Sequence, residues 1–281
     1  MKRNIKLKIT RYTFGYAAFA VAALILFLYL RFPGDALVRY LVASASAMNP
    51  DQVLQIDSVK PVIPPGMTFT HMSLVSRNHP RSAIQADTIT IRPGYLSFLR
   101  GRTAIVFTAN AYGGAIQGQA DTNHFLSFRG PINWTLAADG LDIERISYLK
   151  DTLGRQITGQ FKGTMAFNGQ LPSFFNGTGS LEFTLINGRY PLLAPMLGID
   201  RLDFKSVEAL VHLKNGILTI NKLKLTGEKI NGAVSGAIVF DTADINRSEI
   251  NLNCAFELPA QNRKFSMVLT GPLGNPRIRH L

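Results

Sequence analysis

A single cysteine, Cys254, stands in 281 residues. That excludes a disulfide framework and any Cys-rich metal cluster, because both need thiols in multiples. Charge is sparse as well: Asp, Glu, Lys and Arg make up 17% of the chain and apolar residues 46%, against a usual charged share of about 25%. Intrinsic disorder is excluded, and there is enough apolar surface for a large core. Acids are the scarcer sign, 18 against 30 Lys and Arg, for a net charge of +12. Catalytic signatures are missing too. The chain has no G-x-x-x-x-G-K-[ST] phosphate loop and no H-E-x-x-H pair, and its histidines, His71, His79, His124, His212 and His280, are scattered. Gly177-Thr-Gly179 lacks the third glycine of a dinucleotide fingerprint. Asp241 to Asn246 lacks the Gly and terminal Glu of a calcium loop and reads as a hairpin turn. No catalytic residue, metal ligand set or cofactor site is expected.

The basic excess is concentrated at the start. Lys2, Arg3, Lys6, Lys8 and Arg11 fall in the first eleven residues, which hold no acid. Tyr12 to Leu30 (YTFGYAAFAVAALILFLYL) then runs without a charge until Arg31. At about 1.5 Å per residue this makes a helix of roughly 28 Å, close to the hydrocarbon thickness of a bilayer. Tyr12, Tyr16 and Tyr29 suit the interfacial aromatic belts. A cleaved signal peptide is the competing reading, since Ala43, Ala45 and Ala47 form an A-x-A pattern. That pattern lies too far beyond the apolar run, with Arg31, Asp35 and Arg39 between, and the run is longer than a signal core. Residues 1–11 are therefore expected as a cytoplasmic basic tail, 12–30 as a transmembrane helix and 31–281 as an exported, periplasmic domain. The remaining basic residues are too thinly spread for a nucleic-acid interface, so no nucleic-acid partner is expected.

Asp35 is positioned to cap a second helix running to about Ala47, with Leu37, Tyr40, Leu41 and Ser44 on one side. Lys60 to Gly66 (KPVIPPG) reads as a linker or turn, since proline cannot donate to a ladder. Beyond it the period is two. In Ile157 to Asn168, the residues Ile157, Gly159, Phe161, Gly163, Met165 and Phe167 share one face, and Thr158, Gln160, Lys162 and Thr164 share the other. Ile230, Gly232, Val234, Gly236, Ile238 and Phe240 repeat the pattern, as do Ile250, Leu252, Cys254, Phe256 and Leu258. Ile132 to Ala138, Leu181 to Asn187, Val207 to Leu213 and Phe265 to Leu269 alternate likewise. Helical spacing is confined to Asp142 to Leu153, with Asp142 as cap and Gly154 as stop, and to single turns at Tyr95 to Leu99 and Leu192 to Leu197. The expected fold is mainly β: one N-terminal transmembrane helix, then a curved, mostly antiparallel sheet with a few short helices.

A G-x-φ-x-G unit occurs at Gly114–Gly118, Gly159–Gly163 and Gly232–Gly236. The glycines share the apolar face with Phe161 and Val234, so bulk is missing where a core wants it. Two readings stay open: a curved sheet closed over its own core, or an open trough that holds acyl chains or a partner segment. The trough would be lined by the residues named above from Ile157 to Phe167 and Ile230 to Phe240, with Ile250, Leu252 and Phe256. Cys254 on that face reads as a buried, inert thiol.

The basic tail, the single apolar helix, Arg31-Phe-Pro-Gly-Asp-Ala-Leu37 after it and the β-rich remainder resemble the GspN proteins of bacterial type II secretion systems over nearly the full length. Ala83 to Gly101 (AIQADTITIRPGYLSFLRG) is similar to the strand, turn and short helix of AsmA-like proteins. Leu202-Asp-Phe204, Lys214-Asn-Gly216-Ile-Leu-Thr-Ile220, Leu223-Lys-Leu225 and Gly236 to Asp241 resemble the closing β-segment of that superfamily, and Gly271 to Ile278 its terminal piece. The resemblance implies an AsmA-like β-groove fold and an inner-membrane, single-pass, periplasm-facing structural or docking subunit of the type II secretion apparatus. Its implied partners are the other secretion subunits, and it has no active site to carry over. The AsmA-like relatives imply the second function, binding or transfer of lipid acyl chains.

Overall fold

The computed structural model describes residues 11–77, 83–95, 97, 103–122, 131–170, 177–196, 199–241 and 244–280. Four residues of the basic tail, Lys2, Arg3, Lys6 and Lys8, lie outside this set, as does the side chain of Arg11. Helix α1 (Arg11–Leu30) is followed by α2 (Gly34–Met48). Among the described residues no helix is long and apolar enough to cross a membrane; the side chains at 12, 13, 21, 25 and 28 of α1 are outside the described set. Pro33, not Asp35, takes the N-cap position of α2; Asp35 sits inside the first turn and makes no cap bond. The apolar side of α2 also differs from expectation. Leu37, Val38 and Leu41, with Phe32, pack on Ile56, Val59 and Phe69, while Tyr40 points away, 68% exposed.

After α2 the chain is almost all strand. The order is β1 (Gln52–Gln55), β2 (Ser58–Val62), β3 (Gly66–Ser76), β4 (Ala83–Pro93), β5 (Thr103–Ala111), β6 (Gly114–Thr122) and β7 (Pro131–Asp142). Helix α3 (Ser147–Leu153) then leads to β8 (Thr158–Gln170), β9 (Thr178–Met196), β10 (Ile199–Lys214), β11 (Ile217–Thr226), β12 (Asn231–Val239), β13 (Glu249–Leu258), β14 (Arg263–Pro272) and β15 (Arg277–His280). All belong to one antiparallel sheet in chain order, except that β1 and β2 lie end to end along the same edge of β3. Two-residue turns with positive φ at Tyr112–Gly113 and Asn215–Gly216 close two of the hairpins, the geometry whose twist matches that of the paired strands.

Several expectations need correction. Lys60 to Gly66 is a turn only at its centre: residues 63–65 make the turn of a hairpin, whereas Lys60, Pro61 and Val62 belong to β2, and Gly66 opens β3. Pro61 is tolerated because β2 is an edge strand paired only with β3, so its missing N–H breaks no second ladder. Leu192 to Met196 are not a turn but the end of β9, held by the Met196–Ile199 pairing. The helix over 142–153 is broken: Asp142 caps a 3-10 turn at Ile143–Arg145 by accepting from Glu144 N, and α3 starts only at Ser147, ending at Gly154 as expected. Of Tyr95 to Leu99, only residues 95 and 97 are described.

Register shifts bend the sheet at defined places. β7 carries an extra residue between the Ala138–Gly163 and Leu141–Phe161 pairs, and β11 carries one between the Val211–Ile220 and Leu210–Lys222 pairs. The β8–β9 pairing shifts at Gly159, whose φ is +135°. An unpaired residue of this kind kinks its strand and increases the local twist.

Candidate functional site: the apolar face of the sheet

Following the pairings across the strands shows how completely the two faces are sorted. One line of paired residues reads Ile91, Phe107, Gly118, Leu136, Met165, Leu181, Val211, Ile220, Gly236, Leu252, Leu269, Ile278. Beside it runs Phe69, Ile89, Ala109, Ile116, Ala138, Gly163, Phe183, Ala209, Leu223, Val234, Cys254, Met267. Phe161, Leu185, Val207, Leu225, Gly232, Phe256 and Phe265 flank these on one side. Ile105, Ala120, Trp134, Phe167, Gly179, Leu213, Leu218, Ile238 and Ile250 flank them on the other. The opposite face is mostly polar, as the line Val106, Gln119, Thr135, Ala166, Ser180, His212, Thr219 shows, with Leu210 and Val268 as further apolar exceptions. At about 4.8 Å per strand the apolar band extends for roughly 50 Å.

This places the expected groove residues. Those from β8, β12 and β13 do share one face, with Ile157 just before β8 and Ile230 and Phe240 flanking β12. They do not form one compact trough, because β9, β10 and β11 lie between β8 and β12. Leu181, Phe183, Leu185, Val207, Ala209, Val211, Ile220 and Leu223 join the two halves. For the six on β9 and β10 the signal was the same alternation, present in Leu181 to Asn187 and Val207 to Leu213 but not connected to the face. Ile220 and Leu223 on β11 fall outside both segments.

The glycines do not leave gaps, which corrects the expectation of missing bulk. Phe183, the ladder partner of Gly163, and Phe161 on its own strand close over it, so that a Cβ there would meet Phe183 Cβ at 2.9 Å and the Phe161 ring at 3.0 Å. Phe256 covers its partner Gly232 at 3.1 Å, and Phe107 covers its partner Gly118. Phe161 and Phe183 stack at 5.6 Å and Phe256 and Phe265 at 5.3 Å. Gly118, Gly163 and Gly232 are each the seat of a neighbouring ring, from the paired strand at Gly118 and Gly232, a pairing that fixes register. Gly159 and Gly236 are filled instead by backbone and aliphatic atoms of the paired strand.

Among the described residues no element makes a second layer over this band. The strands pack mainly on their ladder neighbours; the other substantial contacts among the described residues are of α2 on β1 and β2, the 3-10 turn at Ile143–Arg145 on β8, and α3 against β4. An extended cluster of buried apolar side chains, among the described residues, lies at the α2 end, around Ile56, Val59 and Phe69. Most described residues of the apolar band are half-buried. The chain exposes 19679 Å², whereas a compact monomer of 30.9 kDa should expose about 12,000 Å². Part of that excess lies on α1, where Phe14, Phe19 and Leu30 are 73%, 74% and 69% exposed. For the sheet, the half-burial of the described band favours the open trough over a face sealed in a core.

Polar groups are spent on the outer surface. Arg189 donates to Asp203 at 2.8 Å and Arg201 at 3.1 Å, holding that carboxyl below its ordinary pKa. Lys222 does the same for Glu208 at 2.8 Å. His212 Nδ1 meets Asn221 Oδ1 at 2.6 Å on the polar face. Among the described residues no three of His, Cys, Asp and Glu converge as metal ligands. Cys254 lies within the apolar band, 8% exposed, and burial pushes its thiol pKa up. Maleimide should therefore label native Cys254 at least tenfold more slowly than the denatured chain; equal rates would place that thiol in water.

A comparison of the chain with protein-family models, with curated proteins and with solved structures finds no match to it.

Proposed function

We propose that this chain is a single-pass inner-membrane protein, a periplasm-facing docking subunit of the type II secretion apparatus, and that it works through the open apolar face. The observation that carries the working surface is the uncovered band itself: water on so much contiguous apolar area is unfavourable, and exposed patches of this size belong to binding surfaces. The anchor is supported by nineteen uncharged residues after five basic ones and by α1, where Phe14, Phe19 and Leu30 are 73%, 74% and 69% exposed. Such side chains need lipid around them. Only the resemblance supports the apparatus. Crosslinking in intact cells at native expression, followed by purification of the full chain, should recover secretion subunits; their absence would remove that part of the reading.

A second reading is favoured by the continuity of the band. An acyl chain asks for apolar contact along its length and no hydrogen-bond donor, which is what an unbroken set of paired apolar residues supplies. Mass spectrometry of the gently extracted full-length protein should then show co-bound phospholipid; a lipid-free protein, under conditions in which added lipid also fails to bind, would sink it.

A further inference from the structure

We propose that the free edge of β15 receives an extended acidic segment of a partner protein as an additional strand. The inference rests on the docking reading and names the chemistry of the partner. Among the described residues β15 is the edge strand of the sheet, and all four of its residues are exposed. It pairs with Met267 to Thr270 only. Among the described residues nothing pairs with the same edge of β14 from Arg263 to Ser266, and a hollow of about 460 Å³ opens beside that shortfall, lined in part by Leu258, Phe265 and Met267. An uncovered row of backbone N–H and C=O groups is a template for another strand.

The side chains choose among occupants. Arg277 and Arg279 stand opposite Thr270 and Val268 on one face, and Ile278 stands opposite Leu269 at the end of an apolar line, 60% exposed. Among the described residues neither Arg277 nor Arg279 has an ion-pair partner, and Lys264 nearby holds Glu257 at 3.5 Å. A second copy docking antiparallel about Ile278 would set Arg277 against Arg279 twice, and like charges directly opposite are destabilising. A strand with acid, apolar and acid residues in alternation answers all three positions: its carboxylates meet the two arginines, and its central side chain covers Ile278 and prolongs the apolar band.

The test uses the full-length protein in detergent micelles and a fluorescent octapeptide of alternating Glu and Val. The controls are a peptide of the same composition with its glutamates clustered, an alternating Lys–Val peptide and anionic phosphatidylglycerol vesicles. The alternating acidic peptide should bind at least tenfold more tightly than the clustered one. The double variant Arg277→Glu/Arg279→Glu should reverse the preference towards the Lys–Val peptide, and Arg277→Gln/Arg279→Gln should lose about tenfold without reversing it. Equal binding of the alternating and clustered peptides, retention of the acidic peptide by the reversed variant, displacement of the peptide by vesicles, or self-association of the wild type through this edge would overturn the proposal. Failure of the cellular crosslinking with peptide recognition intact would count against the secretion reading alone, and the converse against the edge alone.

Discussion

Gly236→Ala should be among the most damaging single-methyl changes in the chain, costing about 2–4 kcal/mol and lowering the folded yield. Gly236 adopts φ +140°, which side-chain-bearing residues rarely take, and a Cβ would be driven into the backbone oxygen of Asn251 on β13. Neither atom can move aside, because the Gly236–Leu252 pairing continues into the β13 ladder on both sides. The position also adjoins the register shift between Ile220 and Leu223, so strain there is transmitted to three strands. Denaturant titration of the variant against wild type checks the figure; a loss below about 0.5 kcal/mol would mean the backbone relaxes freely at this point.

The second large effect falls on binding and spares the fold. Met165 is half-buried in the middle of the apolar band. In a closed core, Met165→Glu would strand a carboxylate and cost 4 kcal/mol or more by the usual magnitude of about that size. On an open face the carboxylate stays hydrated, and the expected loss is about 1 kcal/mol. An acyl chain or an apolar partner segment would have to strip that water to dock, so affinity should fall at least tenfold. Thermal melting and binding of a fatty-acid probe read the two halves separately. An unfolded variant would point to a hidden layer over the face, and unchanged binding would place the ligand elsewhere.

These two residues also mark the limits of what was legible before the structure. Period-two alternation correctly put Met165, Gly236 and Leu252 on one apolar face, because in a strand the side of a residue follows from parity alone. Parity says nothing about which strands are neighbours, so the lines through Leu181, Val211 and Ile220 that connect β8 to β12 were not visible. Glycine within a strand signals missing bulk, but the ring that occupies it can belong to another strand, as Phe256 on β13 does for Gly232 on β12. Proline misled in the opposite direction: Pro61 argues against a strand, and β2 accepts it because its outer edge is unpaired. The break at Ile146 in the 142–153 helix is likewise non-local, since Leu141 pairs with Phe161 and the 3-10 turn holding Ile143 packs on β8, leaving the two 7% and 9% exposed.

Whether the apolar face is open to a ligand can be read from the chain's only tryptophan. Trp134 lies in the band, opposite Phe167 and Ala120. Its emission in the full-length protein should be strongly quenched by dibromostearate at micromolar concentrations and protected again by unbrominated stearate, with the quenching much reduced in Met165→Glu. Emission that brominated chains leave untouched, in wild type and variant alike, would mean that Trp134 is sealed within a closed interior and would contradict the account.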